Sequence, residues 1–187
     1  MIDSNICAKC HEIGSGCCFL KDTSQQSQVG ILSPDINKIK NHLNIDEDSF
    51  IVKDTVNDEF RESLSKNIHP IFDKVFYNNI AFRLKVVDGK CVFLSGDGCT
   101  LPKEVRPLYC RIYPFLLSAD NKNIVVLSSY DCLAQGKSTL SWRIVNEYFE
   151  YNEEYVRGLF EELEKACDEH VSQFRLAYTD YSNSTLY

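Results

Sequence analysis

A chain of 187 residues is long enough for one domain with its own hydrophobic core, and two full domains are not expected. Its formal net charge of −7 argues against nucleic acid as a partner, because phosphate binding needs clustered lysine and arginine. No segment approaches the roughly 18 apolar residues of a membrane helix, and the N-terminus lacks the basic start and apolar run of a signal peptide. The sequence therefore predicts a cytoplasmic protein without membrane contact.

The first part of the chain predicts two helices. Ser33, Pro34 and Asp35 follow one another in the order that is typical of a helix start, namely a capping serine, a proline and an acidic residue. This helix is expected to end near Asn44. A second, shorter helix is expected over residues 46–51.

A hairpin is predicted in the middle of the chain. The polar residues 53–70 have no readable period, but residues 80–86 alternate between apolar and charged side chains, as a half-buried strand does. Asp88 and Gly89 form a strong signal for a two-residue turn, and residues 90–94 read as the returning strand.

The rest of the chain is predicted to be mainly helical. A short helix is expected over residues 101–110, with an interruption at Pro107, and a strand over residues 123–128. A long helical segment is expected from residue 141 to about residue 177, where Gly158 marks a candidate break. Its apolar stripe consists of Trp142, Val145, Phe149, Val156, Phe160, Leu163 and Ala166.

These elements predict an α+β fold, with a small antiparallel sheet, surrounding helices, a loop-built cysteine metal site and C-terminal helices. We expect residues 1–135 to form a cysteine-cluster metal-binding domain. Residues 136–187 are expected to form a helical extension packed on it, so that the whole is one compact unit.

The nine cysteines are the most informative residues of the chain. In a reducing cytosol disulfides are rare, so closely spaced cysteines indicate metal binding or catalysis. The first cluster is Cys7-x2-Cys10-x6-Cys17-Cys18, and a Cys-x2-Cys turn lets both sulfurs reach one metal ion. Adjacent side chains generally diverge. Cys17 and Cys18 are therefore expected either to bind different metal ions or to divide into one ligand and one residue packed behind it.

A second group of cysteines is spread over 42 residues, from Cys91 in the returning strand to Cys132 after the last predicted strand. Cys99 follows a Gly-Asp-Gly turn and Cys110 follows Arg-Pro-Leu-Tyr, whereas Cys91 has a core position as its alternative. Cys167 lies in the C-terminal helix without other candidate ligands nearby and is expected in the core or at the surface. The predicted metal ligands are Cys7, Cys10, Cys17, Cys18, Cys91, Cys99, Cys110 and Cys132.

The chain resembles the zinc- or iron-chelating cysteine-cluster family (YkgJ-like). The resemblance covers about residues 7–132 and is carried by the cysteine clusters, by Asp-Gly-Lys-Cys-Val-Phe-Leu at 88–94, and by Arg-Pro-Leu-Tyr-Cys-Arg-Ile-Tyr-Pro-Phe at 106–115. It implies binding of a metal or an iron–sulfur cluster, and no common reaction. Some larger proteins with a similar motif are lysine N-methylases, but this chain lacks a recognisable glycine-rich site for a methyl donor.

An all-thiolate ligand set suits zinc and iron–sulfur clusters alike. Eight sulfurs exceed the needs of one tetrahedral zinc ion, which favours a [4Fe–4S] cluster, with one or two zinc ions as the alternative. Arg106 and Arg111 flank Cys110. Their guanidinium groups are candidates for offsetting the charge of the cluster or for pairing with acidic side chains; the first role is favoured for Arg111, and both stay open for Arg106.

Three functions are compatible with these features. The favoured one is a metal-binding protein that holds an iron–sulfur cluster. The second is a zinc-stabilised interaction module, in which the C-terminal helices bind an unidentified protein partner. The third is a small metal-dependent enzyme related to lysine N-methylase-type proteins, so the sequence leaves enzymatic activity undecided.

Overall fold

The structure is a computed structural model that describes residue 18 and the ranges 30–67, 69–118, 123–126 and 150–184, with side chains as far as Phe174. Within these ranges the chain forms five α-helices and eight short strands. The helices are α1 Ser33–Leu43, α2 Asp58–Asn67, α3 Phe72–Val75, α4 Leu108–Ile112 and α5 Glu153–Ser184. The strands are β1 Ile51–Thr55, β2 Ile80–Leu84, β3 Val86–Val87, β4 Lys90–Cys91, β5 Leu94–Ser95, β6 Gly98–Cys99, β7 Phe115–Leu117 and β8 Ile124–Val126.

The predicted α+β class is confirmed, and its β part is divided among four antiparallel pairs of two strands each in the described residues. The longest pair joins β1 to β2, with Ile51 opposite Leu84 and Thr55 opposite Ile80. The helix expected over residues 46–51 is wrong. Only Glu47–Ser49 form a single 3₁₀ turn, and Ile51 begins β1 because its β-branched side chain suits a paired strand.

The prediction of α1 is confirmed, including its end at Asn44, which adopts a left-handed conformation with φ of 53°. The predicted capping role of Ser33 is wrong, because Leu32 occupies the N-cap, Ser33 is the first helical residue and no side chain of the N-cap residue bonds the helix.

Helix α2 was not predicted. Its first turn is capped by Asn57, whose Oδ1 accepts the N–H of Phe60 at 2.7 Å. Only Phe60 and Leu64 of this helix pack against the core. Two apolar residues are too few to produce a recognisable helical hydrophobic pattern in the sequence.

The predicted turn at Asp88 and Gly89 is confirmed, but the strand expected over residues 80–86 is divided into β2, which pairs with β1, and β3, which pairs with β4 across the turn. Both turn residues have positive φ, 50° and 73°, as a tight two-residue turn requires. The returning strand is shorter than residues 90–94, because β4 ends at Cys91 and the chain turns again to form β5 and β6. The N–H of Thr100 donates to the carbonyl of Phe93 at 2.8 Å and extends the β5–β6 hairpin by one residue beyond its strands.

The helix expected over residues 101–110 begins later, at Leu108. Residues 103–105 form a turn, and the N–H of Val105 donates to the carbonyl of Pro102 at 2.9 Å. Pro107 precedes α4 in an extended conformation, with ψ of 144°. Because a residue that precedes proline is disfavoured in the helical region, helical structure resumes only beyond Pro107.

Helix α5 confirms the second half of the predicted apolar stripe, since Val156, Phe160, Leu163 and Ala166 are all buried. The predicted continuous helix from residue 141 is wrong, because residues 150–152 are not helical, Glu150 has a positive φ of 57°, and α5 begins at Glu153. Gly158 does not break the helix. The predicted helical residues 141–149 lie outside the described part of the chain. The helix packs on α1, α3 and α4. Where the chain is described, no helix combines the length and apolar character that a bilayer crossing requires.

The buried apolar residues divide into two clusters. The helical core joins α3, α4 and α5, on both sides of the boundary predicted at residue 135. It consists of Leu32, Phe72, Val75, Phe76, Ala81, Leu108, Ile112, Phe115, Tyr151, Val156, Leu159, Phe160, Leu163, Ala166 and Cys167. The hairpin core lies between α1 and the hairpins β3–β4 and β5–β6. It consists of Ile31, Ile36, Ile39, Phe50, Phe93, Leu101 and Val105.

Candidate metal centre

Two predicted ligands lie at the ends of two-residue strands. Cys91 closes β4 and Cys99 closes β6, and both pack against the hairpin core. The sulfur of Cys91 accepts the backbone N–H of Phe93, and the sulfur of Cys99 accepts that of Leu101. Phe93 and Leu101 are buried, which fixes both N–H donors. Because hydrogen bonds of this kind favour the charged form of an acceptor, each hairpin is arranged to stabilise a thiolate.

Cys18 connects the N-terminal cysteine cluster to this region. Its carbonyl accepts the N–H of Cys91 at 2.9 Å, and the two side chains are hydrogen-bonded to each other. This sulfur–sulfur hydrogen bond is the main reason that the pKa of Cys91 is raised, followed by desolvation. Cys18 is half-buried. The structure thus brings one sulfur of the Cys17–Cys18 pair into contact with the hairpin cysteines.

Cys110 reaches the same neighbourhood from α4, and its side chain is exposed on one side. The protein on its other sides desolvates the thiolate and raises its pKa well above the ordinary value. Repulsion by the charges of Cys18, Cys91 and Cys99 raises that pKa further. Because such repulsion requires proximity, four of the eight predicted ligands lie in one region of the molecule.

The same shifts determine the charge of the metal-free cluster. Desolvation raises the pKa of Cys99 as well, so Cys91, Cys99 and Cys110 are protonated thiols at neutral pH. The thiolate is the form that binds metals. A cation in the cluster would displace the protons, and its charge would offset the repulsion between the thiolates that form.

The cluster is not a closed metal site. Within the described ranges, no three histidine, cysteine, aspartate or glutamate side chains stand close enough together to hold a metal ion. The donor chemistry nevertheless fits a soft metal, since the groups that act on Cys110 are three cysteine sulfurs and, with a smaller effect, the Asp35 carboxylate, whose oxygens already accept backbone N–H groups. The other four predicted ligands, Cys7, Cys10, Cys17 and Cys132, lie outside the described residues.

The two arginines beside Cys110 have different environments. Arg106 is only 6% exposed, its Nε donates to the carbonyl of Leu101 at 2.9 Å, and its guanidinium donates to the sulfur of Cys99, where it lowers the thiol pKa. Arg111 instead lies 3.2 Å from Glu162 on α5. Arg106 therefore contacts a cluster sulfur, whereas Arg111 contacts an acidic side chain. Charge compensation by Arg111, which the sequence favoured, stays a prediction.

Cys167 lies in the helical core and is completely buried, which agrees with its exclusion from the ligand set. Burial raises the pKa of this thiol to about 12. It is the one described cysteine that serves as a packing residue among helices, and it provides a control for experiments on the others.

Sequence reasoning missed two buried polar residues near the site, Asp35 and His170, which are each 1% exposed. The Nδ1 of His170 accepts the backbone N–H of Ser33 at 3.1 Å and lies 2.7 Å from its hydroxyl, so a residue of α5 caps α1. Both carboxylate oxygens of Asp35 accept the N–H of Leu108, the first residue of α4, at 3.3 Å. No local pattern signals either contact, because the partners are far apart in sequence.

Comparison with known proteins finds two relatives in Methanocaldococcus jannaschii, both described only as uncharacterized proteins. One is 32% identical over 98 residues, which are 49% of this chain and 35% of the relative. The other is 34% identical over 94 residues, 46% of this chain and 50% of the relative. The chain therefore spans half or less of the length of these relatives. No family model matches the chain, and no solved structure does.

Proposed function

We propose that this protein binds a soft metal centre through cysteine thiolates. The observation that carries the proposal is the convergence of Cys18, Cys91, Cys99 and Cys110, which come from three separate segments of the chain. Ordinary core packing does not account for it, because Cys110 is exposed and Cys18, Cys91 and Cys99 are only half-buried. The backbone N–H donors at Cys91 and Cys99 and the guanidinium of Arg106 support the thiolate form there.

An iron–sulfur cluster is the occupant that we favour. Together with Cys7, Cys10, Cys17 and Cys132, the chain offers eight sulfurs, more than one tetrahedral zinc ion uses. A [4Fe–4S] cluster would supply one-electron transfer when bound. The residues of the chain would hold it, limit its contact with water and offset its charge through Arg106. One or two structural zinc ions are the second candidate, favoured by the short hairpins, which gain stability from any cross-linking ion.

The first experiment is anaerobic purification of the full chain from cells supplied with iron, followed by analysis of iron, acid-labile sulfide and zinc. We expect a brown protein with broad visible absorption and stoichiometric iron and sulfide. A colourless protein with one or two zinc ions would replace the cluster with the zinc alternative. A protein that holds neither metal in stoichiometric amount would contradict the proposed function.

Single cysteine variants test the ligand set. Cys99→Ser and Cys110→Ser should each lower the bound metal to less than half of the wild-type content, because each removes one sulfur from the described cluster. Cys167→Ala is the matched control, since this cysteine is buried in the helical core and its loss should leave the metal content unchanged. Equal metal contents in all three variants would show that the described sulfurs are not ligands.

We also propose that the protein works in the reducing cytoplasm, where these thiols stay available for a metal. An interaction with a partner protein would use surfaces other than the apolar stripe of α5, because Val156, Leu163 and Ala166 pack into the chain's own core.

A further inference from the structure

Helix α4 carries Cys110 but has too few residues to hold its own position. It spans only Leu108–Ile112, and a helix of this length is unstable in isolation because nucleation is costly. Its first N–H groups also have no partner within the helix. The location of the Cys110 sulfur therefore depends on contacts that α4 makes with the rest of the fold.

Asp35 makes the polar contact that fixes the start of α4. Its two carboxylate oxygens lie 3.3 Å from the N–H of Leu108, and its carboxylate also accepts the N–H of Leu32 at the start of α1. One side chain thus satisfies backbone donors at the first turns of two helices. Leu108 itself is 2% exposed, so its N–H has no access to water as a substitute partner.

The contact of Asp35 with α4 requires a carboxylate to be buried, which is energetically unfavourable. Burial raises the pKa of its carboxyl to about 6, because desolvation outweighs the stabilising N–H donors and the nearby Lys38. A neutral residue at this position would avoid the cost of a buried charge. A carboxylate here is explained if its hydrogen bond to α4 has a function.

We propose that Asp35 is a positioning residue for metal binding: through the N–H of Leu108 it orients α4 and brings the sulfur of Cys110 into the cluster with Cys18, Cys91 and Cys99. The inference rests on the proposed metal-binding function. Asp35 does not touch the metal in this scheme. Its charge also raises the pKa of Cys110, and Asp35→Asn would remove that repulsion and favour the thiolate, so faster metal loss in this variant would come from the position of α4.

The test is the rate at which a chelator removes the bound metal from anaerobically purified full-length protein. Asp35→Asn keeps the shape of the side chain but replaces one acceptor oxygen with a donor. We expect this variant to lose metal at least ten times faster than the wild type. Asn57→Ala is the matched control, because it removes a cap of the same kind from α2, which carries no cysteine, and it should not change the rate.

A double variant separates positioning from general destabilisation. If Asp35 acts through Cys110, then adding Asp35→Asn to Cys110→Ser causes no further acceleration beyond that of Cys110→Ser alone. Additive acceleration in the double variant, or equal acceleration by Asn57→Ala, would overturn the inference. Should Asp35→Asn fail to fold, Asp35→Glu serves in the same cycle, since it keeps the charge and displaces the carboxylate by one methylene.

The failure of this inference can be told apart from the failure of the proposed function. A wild-type protein that holds no iron or zinc contradicts metal binding itself. A wild-type protein that holds metal, with Asp35→Asn releasing it at the same rate, leaves metal binding intact and removes only the role of Asp35.

Discussion

The helical core and the hairpin core of this protein are built in different ways. In the described residues, the helical core contains 15 buried residues, and the 32-residue helix α5 runs across it. The hairpin core contains seven, and the strands beside it, β3 to β6, have two residues each. Hairpins this short are at best marginally stable, because they bury little surface and form few hydrogen bonds.

Under the proposed function, the difference between the two cores accounts for the position of the cysteines. A region with a small apolar core needs another source of stability, and small folds commonly obtain it from bound metal. The described cysteine of the helical core, Cys167, is a packing residue, whereas Cys91 and Cys99 pack at the border of the hairpin core. We therefore expect the hairpin region to depend on metal and the helical region to be largely independent of it.

Removing the metal should have the largest effect, and it should act on one region. We expect anaerobic chelation to lower the free energy of opening of the hairpin amides by several kcal/mol, since structural zinc supplies about 10 kcal/mol or more to small domains. Hydrogen exchange followed by mass spectrometry would report this loss at Val92 and Thr100. The amides of α5 around Leu163 should keep most of their protection. Equal loss in both regions would mean that the two cores unfold as one unit.

A large-to-small change in the helical core provides the converse test. Leu159 is 2% exposed, and Leu159→Ala should lower the free energy of unfolding by about 2–5 kcal/mol, because it leaves a cavity. Denaturant unfolding of the metal-bound and metal-free proteins should give the same loss. Glu154→Ala on the exposed side of α5 is the control, with a change within about 0.5 kcal/mol. A loss of unfolding free energy that appears only in the metal-bound protein would show that the stabilities of the two cores are coupled.

The next effect is on pH dependence, at the contacts that join α1 to α4 and α5. Burial lowers the pKa of His170 to about 4, although the carbonyl of Val75 accepts its ring N–H. As the pH falls from about 6.5 to about 4, the unfolded state binds this proton first, so the native state loses stability. Asp35 has the opposite sign. Its pKa is raised to about 6 by burial, so the native state binds the proton first and gains stability between about pH 6 and pH 4.

The two contributions are of similar size, roughly 3 kcal/mol each at most, so they nearly cancel in the wild type. Asp35→Asn should therefore reveal a loss of stability on acidification, and His170→Gln should reveal a gain. Thermal unfolding of the metal-free proteins between pH 4 and pH 7 measures both. Identical pH profiles for the two variants would show that neither group is buried as described.

Features that depend on contacts between residues close in sequence could be predicted, whereas features that depend on contacts between distant residues could not. The helix over α1, the turn at Asp88 and the stripe of α5 could be predicted because their signals lie within a few residues of one another. The missed helix α2 exposes most of its surface and has little period. The sequence also could not show that β1 pairs with β2, because the two strands are almost 30 residues apart.

The same distinction between local and long-range contacts applies to the candidate site. The cysteines were identifiable from their spacing, yet their convergence depends on contacts between distant segments, such as the carbonyl of Cys18 with the N–H of Cys91. Arg106 and Arg111 have the same side chain and flank the same cysteine. Only the fold distinguishes them, because α4 turns Arg111 towards α5 whereas Arg106 lies beneath the β5–β6 hairpin.

Comparing these two arginines gives the smallest predicted effect and the most specific one. Arg106→Lys keeps the charge but loses the fixed pair of donors to Leu101 and Cys99, and residues in such positions typically contribute about 10-fold or more to metal affinity. Removal of metal by a chelator should therefore be about ten times faster, which corresponds to about 1.4 kcal/mol.

Arg111→Lys is the matched control, because it makes the same substitution on the other side of Cys110. Arg111 bonds Tyr155 as well as Glu162; Glu162 is 44% exposed, and an ion pair with an exposed partner contributes about 0–1 kcal/mol to stability. We expect a small change in the unfolding midpoint and no change in the rate of metal loss. Faster metal loss in Arg111→Lys than in Arg106→Lys would show that Arg111, and not Arg106, offsets the charge of the cluster. It would also mean that α4, rather than the segment between β6 and α4, supplies the positive charge next to the cluster.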